Sequence, residues 1–487
     1  MQLTSSFTLL LESVLAASLP SYVTAAPIDS NVGIFSFPLI LNQLRADVHP
    51  GVSRRRYTRM MANGTETTTP SSLRDNYAVR RASTPLTTPP TTPLTTPPVA
   101  PPAAPPVTPP AIAADDPIRD LTLDEQEGHE YATDITPAVT PKVANMVGLS
   151  IEGVDDGYIA LVQIGMPPRN FKLLMDSGSA DLWVGSEMCQ STVPLPAGKP
   201  PLRCGKHVFL GPKTSTSFKE IAGSKWKVSY GTGKVTGMLV TDNVKIGTLA
   251  LPNHPFGVAK TETKDFTDAV LDGLLGVAQS ISARQGQLNI VDSLFKQKLI
   301  ARPVVLFKIS RLADKKNDGQ ITFSGLDTTK FDPKTLVSIP NVSRLGLWEA
   351  AVDVVTINGK ALAFTGGAHT TVMDIGSNFI VMPPADATAL NAALGGRTDA
   401  AGDLFLPCNT KAQLAVTISK EAFTIDMRDL VVDDPDSVGE CSSIISPEAD
   451  PVEDGNPNGW LFGAPFLKNV YLLLDMQANT IELAKLV

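Results

Sequence analysis

The chain is long, acidic and globular in composition. It has 487 residues, a net charge of −8 at pH 7 and 43% hydrophobic residues. This length exceeds one ordinary hydrophobic core, so two or more folded units are expected. The acidic balance argues against nucleic acid as a partner, because phosphate backbones attract basic surfaces.

The N-terminus, residues 1–25, is predicted to be a signal peptide. An apolar stretch through Leu9–Leu19 precedes a cleavage site of small residues at Val23-Thr24-Ala25. No later segment reaches the roughly 18 apolar residues of a membrane span, and no hydrophobic tail ends the chain, so no membrane anchor is expected. The sequence favours secretion, with an acidic vacuole as the alternative destination.

Residues 26–149 are predicted to be a prosegment and linker. Within them, residues 82–113 form a Pro/Thr-rich tract of low complexity that cannot bury a core and is typical of an extended spacer. Such a tract also leaves open a role as a wall or matrix protein. An acidic patch from Asp115 to Asp134 follows, and the folded part is expected to start near Ser150.

From there onward, short β-rich runs are separated by Gly, Asn and Asp. Examples are YIALVQIG (158–165) and QITFSGL (320–326). This alternation predicts an all-β, mostly antiparallel protein. Two short helices are predicted from apolar spacing near 3.6 residues, at Asn289–Leu299 and Ala385–Leu394.

Two Asp-x-Gly-Ser turns, each at the end of an apolar strand, are the main functional signal. They are Asp176-Ser177-Gly178-Ser179 and Asp374-Ile375-Gly376-Ser377, which lie 374 − 176 = 198 residues apart, about one domain length. Either turn alone would more often be structural, because Asp and Gly are common in turns.

The surroundings of the two turns repeat as well. Asp272-Gly273-Leu274-Leu275-Gly276 follows the first turn, and Gly459-Trp460-Leu461-Phe462-Gly463 follows the second. An apolar pair before Gly means little by itself. Its recurrence in register with both Asp turns predicts an internal duplication.

Paired in this way, Asp176 and Asp374 can face each other across a pseudo-two-fold axis. Like charges a few ångströms apart cannot both ionise, so one proton is shared and one group acts as an acid, the other as a base. Glycine allows the two loops to approach closely. Ser179 and Ser377 are expected to donate hydrogen bonds to the outer carboxylate oxygens.

Further motifs in the same order resemble the pepsin-like aspartic endopeptidases, over residues 150–487 and of fungal secreted type. Tyr230-Gly231-Thr232-Gly233 resembles the tip of the family's β-hairpin flap, and Trp183 resembles the Trp behind the flap tyrosine. The resemblance implies a bilobal double β-barrel with a pseudo-two-fold axis, with lobes at 150–335 and 336–487.

The resemblance also implies a mechanism. Asp176 and Asp374 would be catalytic and would activate a water without a cofactor, a metal or a covalent intermediate. Tyr230 and Thr232 would cover and bind the substrate. Substrates would be proteins or peptides cut at acidic pH between bulky hydrophobic residues, and the enzyme is expected to be a monomer.

The chain departs from the family at Ile375. Most members have Thr or Ser after each catalytic Asp, and these hydroxyls brace the two loops. Ser177 keeps the hydroxyl and Ile375 lacks it. A catalytically weak or inactive homologue that binds peptides or proteins is therefore the alternative.

Four cysteines fit an oxidising compartment. Proximity in sequence favours the pairs Cys189–Cys204 and Cys408–Cys441, although four cysteines allow three pairings and free buried thiols are a further alternative.

Two sequons, at Asn63 and Asn341, are candidate glycosylation sites. The five histidines are far apart and show no metal-ligand spacing, so no metal site is expected.

The charge of the prosegment suggests how an enzyme of this kind is kept inactive. Residues 26–113 carry eight Arg against four acidic residues, whereas residues 150–487 carry 31 basic and 36 acidic residues. A basic segment over an acidic enzyme predicts an electrostatic cover that acid releases. Simple cutting at the dibasic sites Arg54-Arg55-Arg56 and Arg80-Arg81 is the alternative.

Overall fold

The computed structural model describes residues 135–141, 143–195, 198–231, 233–435, 439–452 and 456–487. The predicted signal peptide, the Pro/Thr tract, the acidic patch, Asn63 and Thr232 lie outside these residues.

The described strands of the N-terminal part are mostly short, apart from two long strands that form one hairpin. They are β1 (Ile135–Thr136), β2 (Met146–Gly148), β3 (Ser150–Glu152), β4 (Gly157–Ile164), β5 (Arg169–Asp176), β6 (Leu182–Ser191), β7 (Lys219–Glu220), β8 (Trp226–Ser229), β9 (Lys234–Ile246), β10 (Leu249–Glu262), β11 (Gly273–Gly276), β12 (Val304–Lys308) and β13 (Gln320–Phe323).

The C-terminal part continues with strands of similar length. They are β14 (Val337–Pro340), β15 (Glu349–Val352), β16 (Val354–Ile357), β17 (Lys360–Leu362), β18 (His369–Met373), β19 (Ile380–Met382), β20 (Arg397–Thr398), β21 (Leu404–Pro407), β22 (Leu414–Ile418), β23 (Glu421–Ile425), β24 (Val431–Pro435), β25 (Glu440–Ser443), β26 (Ile445–Pro447), β27 (Gly459–Phe462), β28 (Val470–Asp475) and β29 (Thr480–Lys485).

The described helices are short. They are α1 (Lys264–Thr267), α2 (Ile290–Lys296), α3 (Pro384–Ala393) and α4 (Ala464–Leu467), with 3-10 turns at Ser280–Ser282, Leu312–Asp314, Pro333–Thr335 and Met427–Asp429. The two helices predicted from sequence are present as α2 and α3. Asn289 caps α2, because its side chain accepts a hydrogen bond from the Asp292 N–H. Within the described ranges, no helix is both long and apolar enough to cross a membrane.

The sheets form two lobes, and most strand pairs are antiparallel. One lobe contains a ten-stranded sheet in the order β1-β3-β4-β5-β11-β6-β10-β9-β7, with β8 beside β9. The other lobe contains a five-stranded sheet, β15-β18-β27-β19-β26, and two four-stranded sheets, β17-β16-β22-β23 and β20-β21-β25-β24. A six-stranded sheet, β14-β29-β28-β12-β13-β2, takes strands from both ends of the described chain. The predicted all-β bilobal fold is confirmed.

The same three-strand unit occurs in each lobe. In the first, β11 runs parallel to β5 and antiparallel to β6. In the second, β27 runs parallel to β18 and antiparallel to β19. β11 and β27 are the apolar repeats noted in the sequence, so the duplication predicted from them is present, and it places an Asp loop after β5 and after β18.

Polar contacts join the two lobes. Lys468 Nζ lies 3.0 Å from Asp155 Oδ2 and 2.9 Å from Asp429 Oδ1, and Arg311 Nη2 lies 2.5 Å from Asp429 Oδ2. Because Asp155 belongs to the first lobe and Asp429 to the second, Lys468 connects both. The buried Trp348 Nε1 also donates to Val277 O at 3.0 Å.

The described fold includes residues that precede the expected start near Ser150. Ile135 and Thr136 pair with β3, and β2 pairs with β13 in the six-stranded sheet. The Asn317 amide connects these early segments, because Nδ2 donates to Thr136 O and to Leu149 O at 3.0 Å each. Sequence reasoning missed these strands because two or three residues give no measurable alternation.

We expect Asn317→Asp to lower the free energy of unfolding by about 1–3 kcal/mol, since two carbonyls lose their donor while the shape of the side chain is kept. Urea unfolding measures the loss. Asn253→Asp, at an exposed bulge of β10, is the matched control and should change stability little. Equal stability of the two variants would show that the segment before Ser150 is not held by this amide.

Candidate active site

The two Asp loops meet between the lobes. Asp176 ends β5 and is 3% exposed, and Asp374 follows β18 and is 1% exposed. Their carboxyl groups are hydrogen-bonded to each other. The structure therefore brings together the two carboxyls that sequence reasoning paired.

Each loop glycine lies against the carboxyl of the opposite loop. A Cβ at Gly178 would come within 2.9 Å of Asp374 Cγ, and a Cβ at Gly376 would come within 2.6 Å of Asp176 Oδ1. Real Cβ atoms are not found this close to other heavy atoms. Any side chain here would push the carboxyls apart, so glycine is required by close approach.

The two carboxyls receive different hydrogen bonds. Asp176 Oδ1 accepts from the Gly178 N–H at 2.8 Å, and its Oδ2 accepts from the Ser179 hydroxyl. Asp374 Oδ1 accepts from the Gly376 N–H at 2.9 Å. The expectation of a matching bond from Ser377 to Asp374 is wrong. The Ser377 hydroxyl instead accepts from the Phe379 N–H at 3.5 Å, because it is turned along its own loop.

One hydroxyl braces the two loops. The Ser177 hydroxyl donates to Met373 O at 2.8 Å and accepts from the Ile375 N–H at 2.9 Å. Ile375 has no hydroxyl to return such a bond, as the sequence indicated. Its side chain is 2% exposed and packs in the main hydrophobic core instead. The contact between the two loops thus consists of hydrogen bonds of the Ser177 hydroxyl, while Ile375 contributes apolar packing.

The unequal hydrogen bonding affects the pKa values of the two acids differently. Burial raises the pKa of Asp374 well above its usual range, and the nearby Asp176 raises it further. Burial also raises the pKa of Asp176, but the hydrogen bonds from Ser179, Asp374 and the backbone oppose the rise. The pair can therefore hold one shared proton, and the additional hydroxyl bond from Ser179 favours the ionised form of Asp176.

Tyr230 connects the flap to this pair. The flap is the hairpin of β8 and β9, and its turn is closed by the Tyr230 N–H donating to Gly233 O at 2.7 Å. The Tyr230 hydroxyl accepts from Trp183 Nε1 at 2.8 Å and lies near Ser179, whose hydroxyl donates to Asp176. The flap tyrosine thus lies beside the loop that carries Asp176.

The flap tyrosine is held in an aromatic cluster. Tyr230 contacts Phe266 edge-on with centroids 5.4 Å apart, and Trp183 contacts the same ring edge-on at 5.3 Å. Gly231 lies in the turn and is partly exposed, whereas Thr232 is outside the described residues.

Asp181 is a site residue that sequence reasoning missed. It is buried, and its carboxylate accepts from the Arg284 and Gln285 N–H groups at 2.9 and 3.0 Å. Burial raises the pKa of Asp181 to about 6. The signal in the sequence was a carboxylate inside the apolar run SADLWV. A carboxylate that is buried with its apolar neighbours needs hydrogen-bond donors from other segments of the chain.

Two further buried carboxyls lie outside the site. Burial raises the pKa of Glu152 to about 7 and that of Glu262 to about 8. Among the described residues, Oε2 of each accepts no hydrogen bond. Glu262 Oε1 lies 3.4 Å from Cys189 Sγ at the base of the flap, and Oε2 lies 3.8 Å from His207 Nδ1.

The structure joins Cys189 to Cys204 and Cys408 to Cys441. These are the pairs that sequence proximity favoured, and each one closes a loop within one lobe.

The sequon at Asn341 is buried. Asn341 is 8% exposed, and its Nδ2 donates to Leu347 O at 2.7 Å. A glycan attached to this nitrogen would have to displace that bond and enter the packed interior. The geometry therefore argues against a glycan at Asn341.

We expect Ser177→Ala to lower the free energy of unfolding by about 1–3 kcal/mol, because Met373 O and the Ile375 N–H would both lose a buried partner. Ser177→Thr keeps the hydroxyl and is the matched control. Denaturant unfolding of the two variants measures the difference. If Ala and Thr were equally stable, the hydroxyl would not brace the loops.

We expect the fold to lose stability as pH rises from about 4.5 to about 8. Glu152 and Glu262 have pKa values raised by burial, so their stabilising contribution is full below the unfolded-state pKa and is lost as pH rises through the folded-state values. A rise from 4.5 to about 7 for Glu152 corresponds to on the order of 3 kcal/mol. Unfolding followed against pH should show a smaller slope in Glu152→Gln/Glu262→Gln. An unchanged slope would show that Glu152 and Glu262 do not cause the loss of stability with rising pH.

Comparison with known proteins agrees with this geometry. The family model for eukaryotic aspartyl proteases matches residues 157–486. The chain is 32% identical over 350 residues to a probable aspartic-type endopeptidase CTSD of Arthroderma benhamiae, covering 71% of this chain and 64% of the relative. It is 32% identical to the aspartic-type endopeptidase ctsD of Aspergillus fumigatus, covering 71% and 69%, and 30% identical to cathepsin E-B of Xenopus laevis, covering 69% and 81%.

The match to the first two relatives, both named CTSD, spans 64% of their length. The part of this chain that the family model matches, residues 157–486, contains both Asp loops, the flap and the six-stranded sheet, apart from its edge strand β2. The chain belongs to the eukaryotic aspartyl protease family.

Proposed function

We propose that this protein is an aspartic endopeptidase that hydrolyses peptide bonds in proteins at acidic pH. The observation that carries the proposal is the pair of mutually hydrogen-bonded carboxyls, Asp176 and Asp374, buried between two duplicated loops. Family membership supports the same reaction.

We assign the roles from the unequal surroundings of the two acids. Asp176, whose charge is stabilised by Ser179 and by the Gly178 N–H, is the ionised base that takes a proton from a water placed between the carboxyls. Asp374 holds the shared proton and donates it to the scissile carbonyl oxygen, which stabilises the tetrahedral species. The amine then leaves with the proton that Asp176 took, one hydroxyl of the tetrahedral species returns its proton to Asp374, and no covalent enzyme intermediate forms.

The flap supports this chemistry by excluding water. Tyr230 is buried and its hydroxyl reaches the catalytic loop through Ser179. With water excluded, the interactions between charges inside the site become stronger. The preference for bulky hydrophobic side chains near the cut is proposed from family membership.

The remaining assignments rest on the sequence. We propose that the protein is made as a zymogen with a signal peptide and a basic prosegment, and that it works as a monomer outside the cell or in an acidic vacuole. The two disulfides are consistent with an oxidising route.

We expect Asp374→Asn to reduce cleavage of casein or haemoglobin between pH 2 and 6 by on the order of 10³-fold or more, because the proton donor is lost. Pepstatin should block the unmodified enzyme. Asp353→Asn, at an exposed position, is the matched control and should keep full activity. Processed wild-type protein that neither cleaves these substrates nor binds pepstatin would contradict the proposal and favour an inactive homologue.

A further inference from the structure

A basic pocket lies at the edge of the six-stranded sheet, outside the active site. It is a cavity of about 440 Å³ lined by the end of β12, the segment between β12 and β13, residues 329–330, Lys468 and residues 486–487. Its basic lining residues are Lys308, Arg311, Lys316, Lys330 and Lys468. The chain as a whole has a net charge of −8, so a pocket with this lining is unusual for it.

Two of these cations are already neutralised. Lys468 contacts Asp155 and Asp429, and Arg311 contacts Asp429 and Asp314. These groups belong to the ion network that joins the lobes. The charge available to a ligand must therefore come from the other three lysines.

The other three lysines share one carboxylate. Asp318 lies 2.5 Å from Lys308 Nζ, 2.9 Å from Lys330 Nζ and 3.3 Å from Lys316 Nζ. Partial burial raises the pKa of Asp318, but the hydrogen bonds from Lys308 and Lys330 lower it well below its usual range, so it stays ionised. At least one positive charge remains, and Lys316 presents it with a side chain 74% exposed.

The N-terminal chain enters the fold beside these lysines. Asn317 lies between Lys316 and Asp318, its Nδ2 donates to Thr136 O at 3.0 Å, and its carbonyl accepts from the Val139 N–H at 2.9 Å. Whatever precedes Ile135 therefore joins the described fold beside the segment 316–318.

What precedes Ile135 is strongly acidic. Residues 115–134 contain eight acidic residues and one basic residue, Arg119, which gives a net charge of 1 − 8 = −7 with His129 neutral. This is the opposite sign to the lysines and to the Arg-rich residues 26–113. The acidic patch thus separates the basic prosegment from the enzyme.

We propose that the acidic segment 115–134 docks in cis on the pocket formed by Lys308, Lys316 and Lys330. Charge complementarity favours the contact, and the tether at Thr136 supplies a high effective concentration. An extended chain spans about 3.3 Å per residue, so the carboxylates from Asp120 onward can all reach the pocket. The consequence is that the junction between prosegment and enzyme is held on this pocket, and Arg119 is sheltered from processing proteases.

Hydrogen exchange of the full chain tests the docking. The chain carries Asp374→Asn so that it does not process itself, and its intact mass is checked. At pH 7 and low salt, peptides within residues 115–134 should exchange about tenfold more slowly than the same free peptide. In 0.5 M NaCl the protection should disappear, because salt screens contacts between exposed charges. Carbodiimide cross-links from this segment should map to Lys308, Lys316 and Lys330.

Two variants separate docking from folding. Lys316→Glu/Lys330→Glu should abolish the protection. Asp120→Asn/Asp124→Asn/Glu125→Gln/Glu127→Gln should do the same without touching the described fold. Lys245→Glu/Lys360→Glu, which makes the same charge change at exposed positions elsewhere, is the matched control and should keep it.

Three results would overturn the proposal. The first is wild-type exchange as fast as that of the free peptide. The second is protection that survives both high salt and the lysine reversal, since another contact would then hold the segment. The third is a set of cross-links spread evenly over surface lysines.

Discussion

The close approach of two backbone turns is the constraint on which the rest of this structure depends. Gly178 and Gly376 each lie against the carboxyl of the opposite loop, at distances where no Cβ fits. Two like acids are thereby held together in a site with little water, which forces them to share one proton. The duplicated strands, the interlobe ion network and the Ser177 brace all serve to hold these two turns in place.

The two halves of the site are similar in backbone and different in chemistry. Asp176 receives a hydroxyl bond from Ser179, whereas the hydroxyl of Ser377 turns away from Asp374. The flap tyrosine Tyr230, held by Trp183, lies near Ser179 of the Asp176 loop. This asymmetry lets a symmetric pair act as one acid and one base. Ile375 breaks the symmetry of the brace without moving Asp374 away from Asp176.

Ionisable groups outside the active site also affect this protein. Buried carboxyls at Glu152 and Glu262 favour the fold at the acidic pH at which the proposed chemistry runs. The lysines around Asp318 lie near the point where residues 115–134, with a net charge of −7, join the described fold, and this is the basis of the proposed docking.

The sequence by itself determined the all-β class, the two Asp loops and the duplication, and it favoured the observed cysteine pairing, because each depends on local pattern or on spacing along the chain. It did not determine the rotation of the Ser377 hydroxyl, the burial of Asp181 and Asn341, or the strands before Ser150. These depend on which groups from distant segments meet, and a partner such as Gln285 or Asn317 has no signature near the residue that it contacts. The direction of the proton bias between Asp176 and Asp374 was likewise decided only by tertiary structure, since it follows from hydrogen bonds that form when the lobes and the flap close around them.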